Sequence, residues 1–265
     1  WIALAFVVVV GLPHGAFDGA IAQQLGYSRT WRAMCRFIVA YLGLAGAVVA
    51  FWIWQPGLAL ALFLLISAVH FGYGDATAIG GFARSVQIAA HGGIAVFGLS
   101  LFHLQQVTPL YAALTHGDVM LAVMLTEFFP LFIMPVAVLY LVAAVRDAAL
   151  RPRLVELALL CLLFSVVPPL VGFALYFCVI HTGRHLRHIW DRVQSDVTPR
   201  HILWQAGVFT LASWAGGAIT LLWLDSGNIS QDLLQVIFIG LAALTVPHMM
   251  LVDGLFRRRD GKDVL

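Results

Sequence analysis

Phe177–Cys178–Val179–Ile180–His181–Thr182–Gly183–Arg184–His185–Leu186–Arg187–His188 runs from apolar residues into three histidines at i, i+4 and i+7. On a helix those positions share one face, a turn apart. Imidazoles at i and i+4 can grip one metal ion, because their ring nitrogens converge beside the helix. The plainer alternative is a helix that leaves a membrane and meets water through its histidines. Either way the segment is helical, apolar at its start and polar at its end.

The rest of the chain repeats that apolar character. Its 265 residues are 62% hydrophobic and only 11% charged, with a mean hydropathy of +0.94. A soluble domain of this size would expose far more charge, so the natural solvent is a bilayer. A net charge of +2 is too small to indicate nucleic acid as a partner. Cys35, Cys161 and Cys178 lie in or beside apolar runs without metal-ligand spacing, which argues against a disulfide framework or a thiolate site. The chain starts at Trp1 rather than Met, so a short N-terminal piece is expected to be missing. Its first apolar run leads into polar residues without a small-residue cleavage site, and reads as a span rather than a signal peptide.

A span needs about 20 mostly apolar residues. The candidates are Trp1 to about Leu25, Phe37–Trp54, Leu58–Gly74, Val86–Leu104, Val119–Val145, Leu154–Val167, Leu170–Trp190, Ile202–Leu224 and Leu233–Phe256. The two that flank Pro168–Pro169 are short enough to be one broken helix instead. Basic residues follow the first, third, fifth and histidine-bearing spans and end the chain, whereas Gln55–Gly57, Gln105–Asp118 and Asp225–Asp232 contain no Lys or Arg. All basic segments fall on the cytoplasmic side only if Leu154–Trp190 crosses twice, with Pro168–Pro169 as the outer turn. The expected fold is therefore an all-α, multi-pass integral membrane protein. One helix-bundle domain would cover residues 1–265, with eight to nine spans, a buried metal site and a cytoplasmic C-terminus.

Ionisable groups inside lipid cost several kcal/mol unless partnered, so they mark function. Pro13–His14–Gly15–Ala16–Phe17–Asp18–Gly19 places His14 and Asp18 one turn apart, loosens the helix at Pro13, and spaces Gly11, Gly15 and Gly19 for close helix approach. His70–Phe71–Gly72–Tyr73–Gly74–Asp75 repeats the pattern at the end of its span, where a membrane-exit turn is the alternative. Pro247–His248, followed by Asp253, is either a Pro-kinked helix or a further functional histidine. His91 reads as a packing or hydrogen-bonding residue, and His103, His116 and His201 as solvated at span ends or in loops. If the segments pack together, His14, His70, His181 and His185 supply four neutral nitrogen ligands, suited to Fe, Zn, Cu or Ni. Asp18 and Asp75 are natural acceptors for the second N–H of such ligands.

With these motifs in this order, the chain resembles the Brp/Blh-type bacterial β-carotene 15,15′-dioxygenases over nearly its whole length. The resemblance implies an Fe(II)-dependent oxygenase of the inner (plasma) membrane that splits β-carotene with O₂ into two all-trans retinals. That retinal is the chromophore of microbial rhodopsins. It implies His14, His70, His181 and His185 as iron ligands. His188 and His248 stay open between backing those ligands, lining the pocket and adding a ligand.

Other classes predict other signatures. A di-iron desaturase or hydroxylase would carry His-x₂-His-His boxes, and none is present. A zinc hydrolase would place a glutamate after the first histidine of the pair, where Thr182 stands. A proton or solute transporter would string its polar groups across the membrane depth, whereas these gather toward the cytoplasmic ends of their spans.

Overall fold

Pro13 decides the shape of the first helix. The computed structural model describes residues 1–27, 30–77, 80–224 and 227–256, apart from the side chains of Leu12, His14 and residues 254–256. Helix α1 (Ile2–Gln24) widens into a π turn at Val7–Gly11, tightens into a 3-10 turn at Leu12–Phe17 and resumes at Asp18. In a π turn the carbonyl of Val8 would be served by the amide five residues on, and that residue is Pro13, which has none. The indole Nε1 of Trp214 supplies the donor instead, at 2.9 Å from the Val8 carbonyl oxygen.

Helix α2 (Trp31–Trp54) is capped by Thr30, whose hydroxyl oxygen accepts from the Ala33 amide at 3.2 Å. There follow α3 (Pro56–Asp75), α4 (Gly81–Phe102), α5 (Leu104–Thr115), α6 (Met120–Arg146) and α7 (Arg151–Val166). Helix α8 opens as Pro169–Ala174, passes through a π turn at Leu175–His181 and continues as Thr182–Val193. Helices α9 (Pro199–Trp223) and α10 (Ile229–Asp253) complete the fold, and no strand occurs among the described residues.

Seven of these helices, α1, α2, α3, α4, α6, α9 and α10, are long and apolar enough to cross a membrane. Their outward faces carry large apolar side chains such as Leu131, Phe132, Leu211 and Leu222, as a lipid-facing surface requires. The chain does break where Pro168–Pro169 suggested. Val167 is extended, as a residue before proline prefers, and Pro169 opens α8, so two helices flank the break rather than one. The first has 16 residues and the second changes from α to π after six, so neither has the uninterrupted length of the other seven.

The described residues gather into two compact units. The first comprises Trp1–Gln55 and, among the described residues, 177–256. Its core joins Phe17, Ala20 and Ile21 of α1 to Ile189 and Val193 of α8, Ile202 of α9, and Leu251 and Val252 of α10. In lipid such a core is held by dispersion contacts, since lipid tails are as apolar as the side chains. Two of the three glycines of α1, Gly11 and Gly19, serve it as expected of close packing, through rings rather than a single opposing backbone. A Cβ at Gly11 would come within 2.7 Å of the Phe177 ring, and one at Gly19 within 2.8 Å of the Phe209 ring.

The second unit is Pro56–Tyr176. Helices α3 and α4 touch there backbone to backbone, because a Cβ at Gly72 would strike the Ile88 carbonyl and one at Gly92 the Ala68 carbonyl. Buried His91 faces the Tyr140 hydroxyl at 3.3 Å, as a hydrogen-bonding histidine should. Gln87 donates to the same hydroxyl at 3.1 Å and accepts from the Thr77 amide at 2.8 Å, which ties down the connection after α3. His103 departs from the expected solvated role. It is only partly exposed, with Nε2 at 2.7 Å from the Phe164 carbonyl, one of the orphan carbonyls near the end of α7.

Candidate metal centre

Asp18 begins the last α-helical stretch of α1 and is fully buried. Its Oδ1 lies 2.7 Å from His248 Nδ1 on α10, and its Oδ2 accepts from the Tyr41 hydroxyl of α2 at 2.8 Å. An ionised carboxylate only accepts, so Nδ1 carries the proton, and in a neutral imidazole Nε2 then keeps its lone pair. That is the tautomer a metal ligand needs. Gly15 lies against all three groups, because a Cβ there would sit 3.3 Å from Asp18 Oδ2 and 3.7 Å from both His248 Nδ1 and the Tyr41 hydroxyl.

Rings of α8 form a column beside this group. Phe177 stacks on His181 with centroids 6.1 Å apart, and His181 stacks on His185 at 5.8 Å, each pair inclined by 14°. The i, i+4 spacing read from the sequence produces this stacking, although the π turn ends at His181 itself. His185 then meets His248 edge-on, centroids 4.9 Å apart at 67°. His181, His185 and His248 are all buried, whereas His188 is exposed.

In the second unit, His70 and Asp75 are buried near the end of α3. Asp75 accepts from the Tyr176 hydroxyl at 2.7 Å. Tyr176 is fixed in turn by edge contacts to Phe71 (5.3 Å) and Phe164 (6.1 Å). The segment is still helical at Asp75. As donors suited to a metal ion, the described residues offer His70 here and His185 and His248 in the first unit.

Among the described residues, only part of the expected constellation is brought together. His181 and His185 come together in the first unit, and His70 is buried in the second. The side chain of His14 lies outside the described residues. Among the described contacts, Asp18 pairs with His248, which the sequence left open, and with Tyr41. Sequence reasoning passed over Tyr41 and Tyr176, yet a tyrosine hydroxyl within an apolar run must find a partner, and that was the available signal.

Long apolar helices and buried histidines, one of them held by a carboxylate, define a class: a multi-pass membrane protein with buried imidazoles able to hold a metal ion. The sequence model of the beta-carotene 15,15′-dioxygenase family matches residues 5–256, and the chain belongs to that family. It is 38% identical over 265 residues to the beta-carotene 15,15′-dioxygenase of uncultured marine bacterium 66A03, spanning 99% of this chain and 96% of that one. It is 27% identical over 292 residues to a probable beta-carotene 15,15′-dioxygenase Blh of Halobacterium salinarum, spanning 96% and 83% respectively. No solved structure matches significantly.

Proposed function

We propose that this chain is an Fe(II)-dependent oxygenase of the inner membrane that uses O₂ to split the central 15,15′ double bond of β-carotene into two all-trans retinals. The observation that carries the reading is the 38% identity, over 99% of the chain, to a protein named for that reaction. The donor chemistry supports it: buried neutral imidazoles without a thiolate suit ferrous iron, and a carboxylate fixes the proton of one of them. The proposed ligands are those the family resemblance implies, His14, His70, His181 and His185, with His248 a further candidate.

The chemistry that ferrous iron supplies when bound is activation of dioxygen. The chain's own share is positional. Asp18 holds the Nδ1 proton of His248, Tyr41 holds Asp18, and Tyr176 holds Asp75. Apolar surroundings keep water from the reaction, and a substrate dissolved in the bilayer reaches them laterally without passing through water. Eight to nine crossings in one domain, with a cytoplasmic C-terminus, accord with the placement of the basic residues. The retinal formed would supply a microbial rhodopsin.

The test is anaerobic purification with metal analysis, then incubation with β-carotene and ¹⁸O₂. One iron per chain and labelled retinal are expected. A bound metal other than iron, or cleavage away from the central bond, overturns the reading.

A further inference from the structure

Thr182 sits between His181 and His185 on α8 and is buried together with His185, Ile189 and Val193, the inward face of that helix. Three other buried hydroxyls on helices satisfy themselves locally. Ser100, Thr115 and Thr126 each donate to the carbonyl four residues back, at 3.0, 2.8 and 2.9 Å. The Thr182 hydroxyl has no hydrogen-bond partner among the described residues. A buried hydroxyl left so costs about 1–3 kcal/mol, and one in an apolar setting costs most. A valine of the same shape would avoid that cost.

What could use such a hydroxyl follows from the chemistry proposed above, on which this inference rests. β-Carotene is a hydrocarbon and offers it nothing. Cleavage breaks the central C=C and the O=O bond and forms two C=O bonds, so the organic product carries a polar atom that the organic substrate lacks. We infer that the Thr182 hydroxyl donates a hydrogen bond to the aldehyde oxygen of retinal. It would hold the product end beside the metal-binding face of α8 and discriminate aldehyde from hydrocarbon.

The test uses the full chain in lipid nanodiscs under nitrogen, with all-trans retinal as the probe. A hydrogen bond to a conjugated aldehyde red-shifts its absorption and lowers its C=O stretching frequency. Wild type is expected to show both changes relative to retinal in the same lipid. Thr182→Val should lose them and bind retinal about fivefold to tenfold more weakly, one neutral hydrogen bond's worth. Thr182→Ser should restore them, and β-carotene binding should be equal in all three. Thr182→Ala serves as the hydroxyl-free variant if the valine protein does not fold. An unchanged C=O frequency in a folded hydroxyl-free variant overturns the inference and assigns the hydroxyl to a bound water or to packing. Because no turnover is involved, that result leaves the β-carotene reading standing, and a failure of β-carotene cleavage leaves this readout intact.

Discussion

Asp18 and His248 stand 230 positions apart in the chain and 2.7 Å apart in the fold, both fully buried. First span and last span are therefore joined by one hydrogen bond to a carboxylate, and a neutral imidazole so held presents its other nitrogen as a lone pair. A buried contact of this kind is strong when complete and costly when one member is removed.

Asp18→Asn keeps the shape but removes the charge that holds the His248 proton. Metal affinity should fall by about 10–100-fold, read from iron titration of the purified protein. Unchanged affinity would make the pair structural only.

Alanine at His14, His70, His181 or His185 should abolish iron binding and retinal formation together. His188→Ala should preserve both, because that side chain is exposed seven residues beyond His181. Metal content measured beside activity separates loss of a ligand from loss of the fold. A fully active variant removes its residue from the ligand set.

Tyr41→Phe and Tyr176→Phe each strip a hydroxyl from a buried carboxylate. Each should lower stability by about 1.5–3 kcal/mol, the worth of a hydrogen bond to a charged group. Thermal unfolding in detergent measures it. Tyr41→Phe in an Asp18→Asn background should cost clearly less, since the two residues are in contact.

Gly72→Ala and Gly92→Ala would drive a methyl into the carbonyl of the facing helix. Overpacking of this sort costs about 1–3 kcal/mol. A Cβ at Gly43 or Gly46 meets nothing within 4 Å, so alanine at either site should leave stability nearly unchanged. Paired melting curves decide it.

Much of this was legible in the sequence, and the reasons are physical. Length and hydropathy mark spans because lipid leaves a helix few alternatives, and a polar residue stands out against such a run. The i, i+4 histidines read correctly because helical geometry fixes their separation whatever surrounds them. His248 and Tyr41 as partners of Asp18 were not legible, because spacing within one helix points only to near neighbours, whereas tertiary packing brings in α10 and α2. Tyr41 and Tyr176 were hidden by neighbours as aromatic and apolar as themselves. The glycines of α3 read as part of a histidine motif, but Gly72 is required by the closeness of α4, which only three dimensions reveal.

The bond from Trp214 to the Val8 carbonyl bears on how the chain is made. The ribosome delivers the acceptor 206 residues before the donor. Until α9 is synthesised, that carbonyl must keep a water molecule or borrow another donor, so the first segment cannot settle into its final depth on leaving the translocon. Maturation of the N-terminal kink is thus a late event in the making of the chain, set by the arrival of α9.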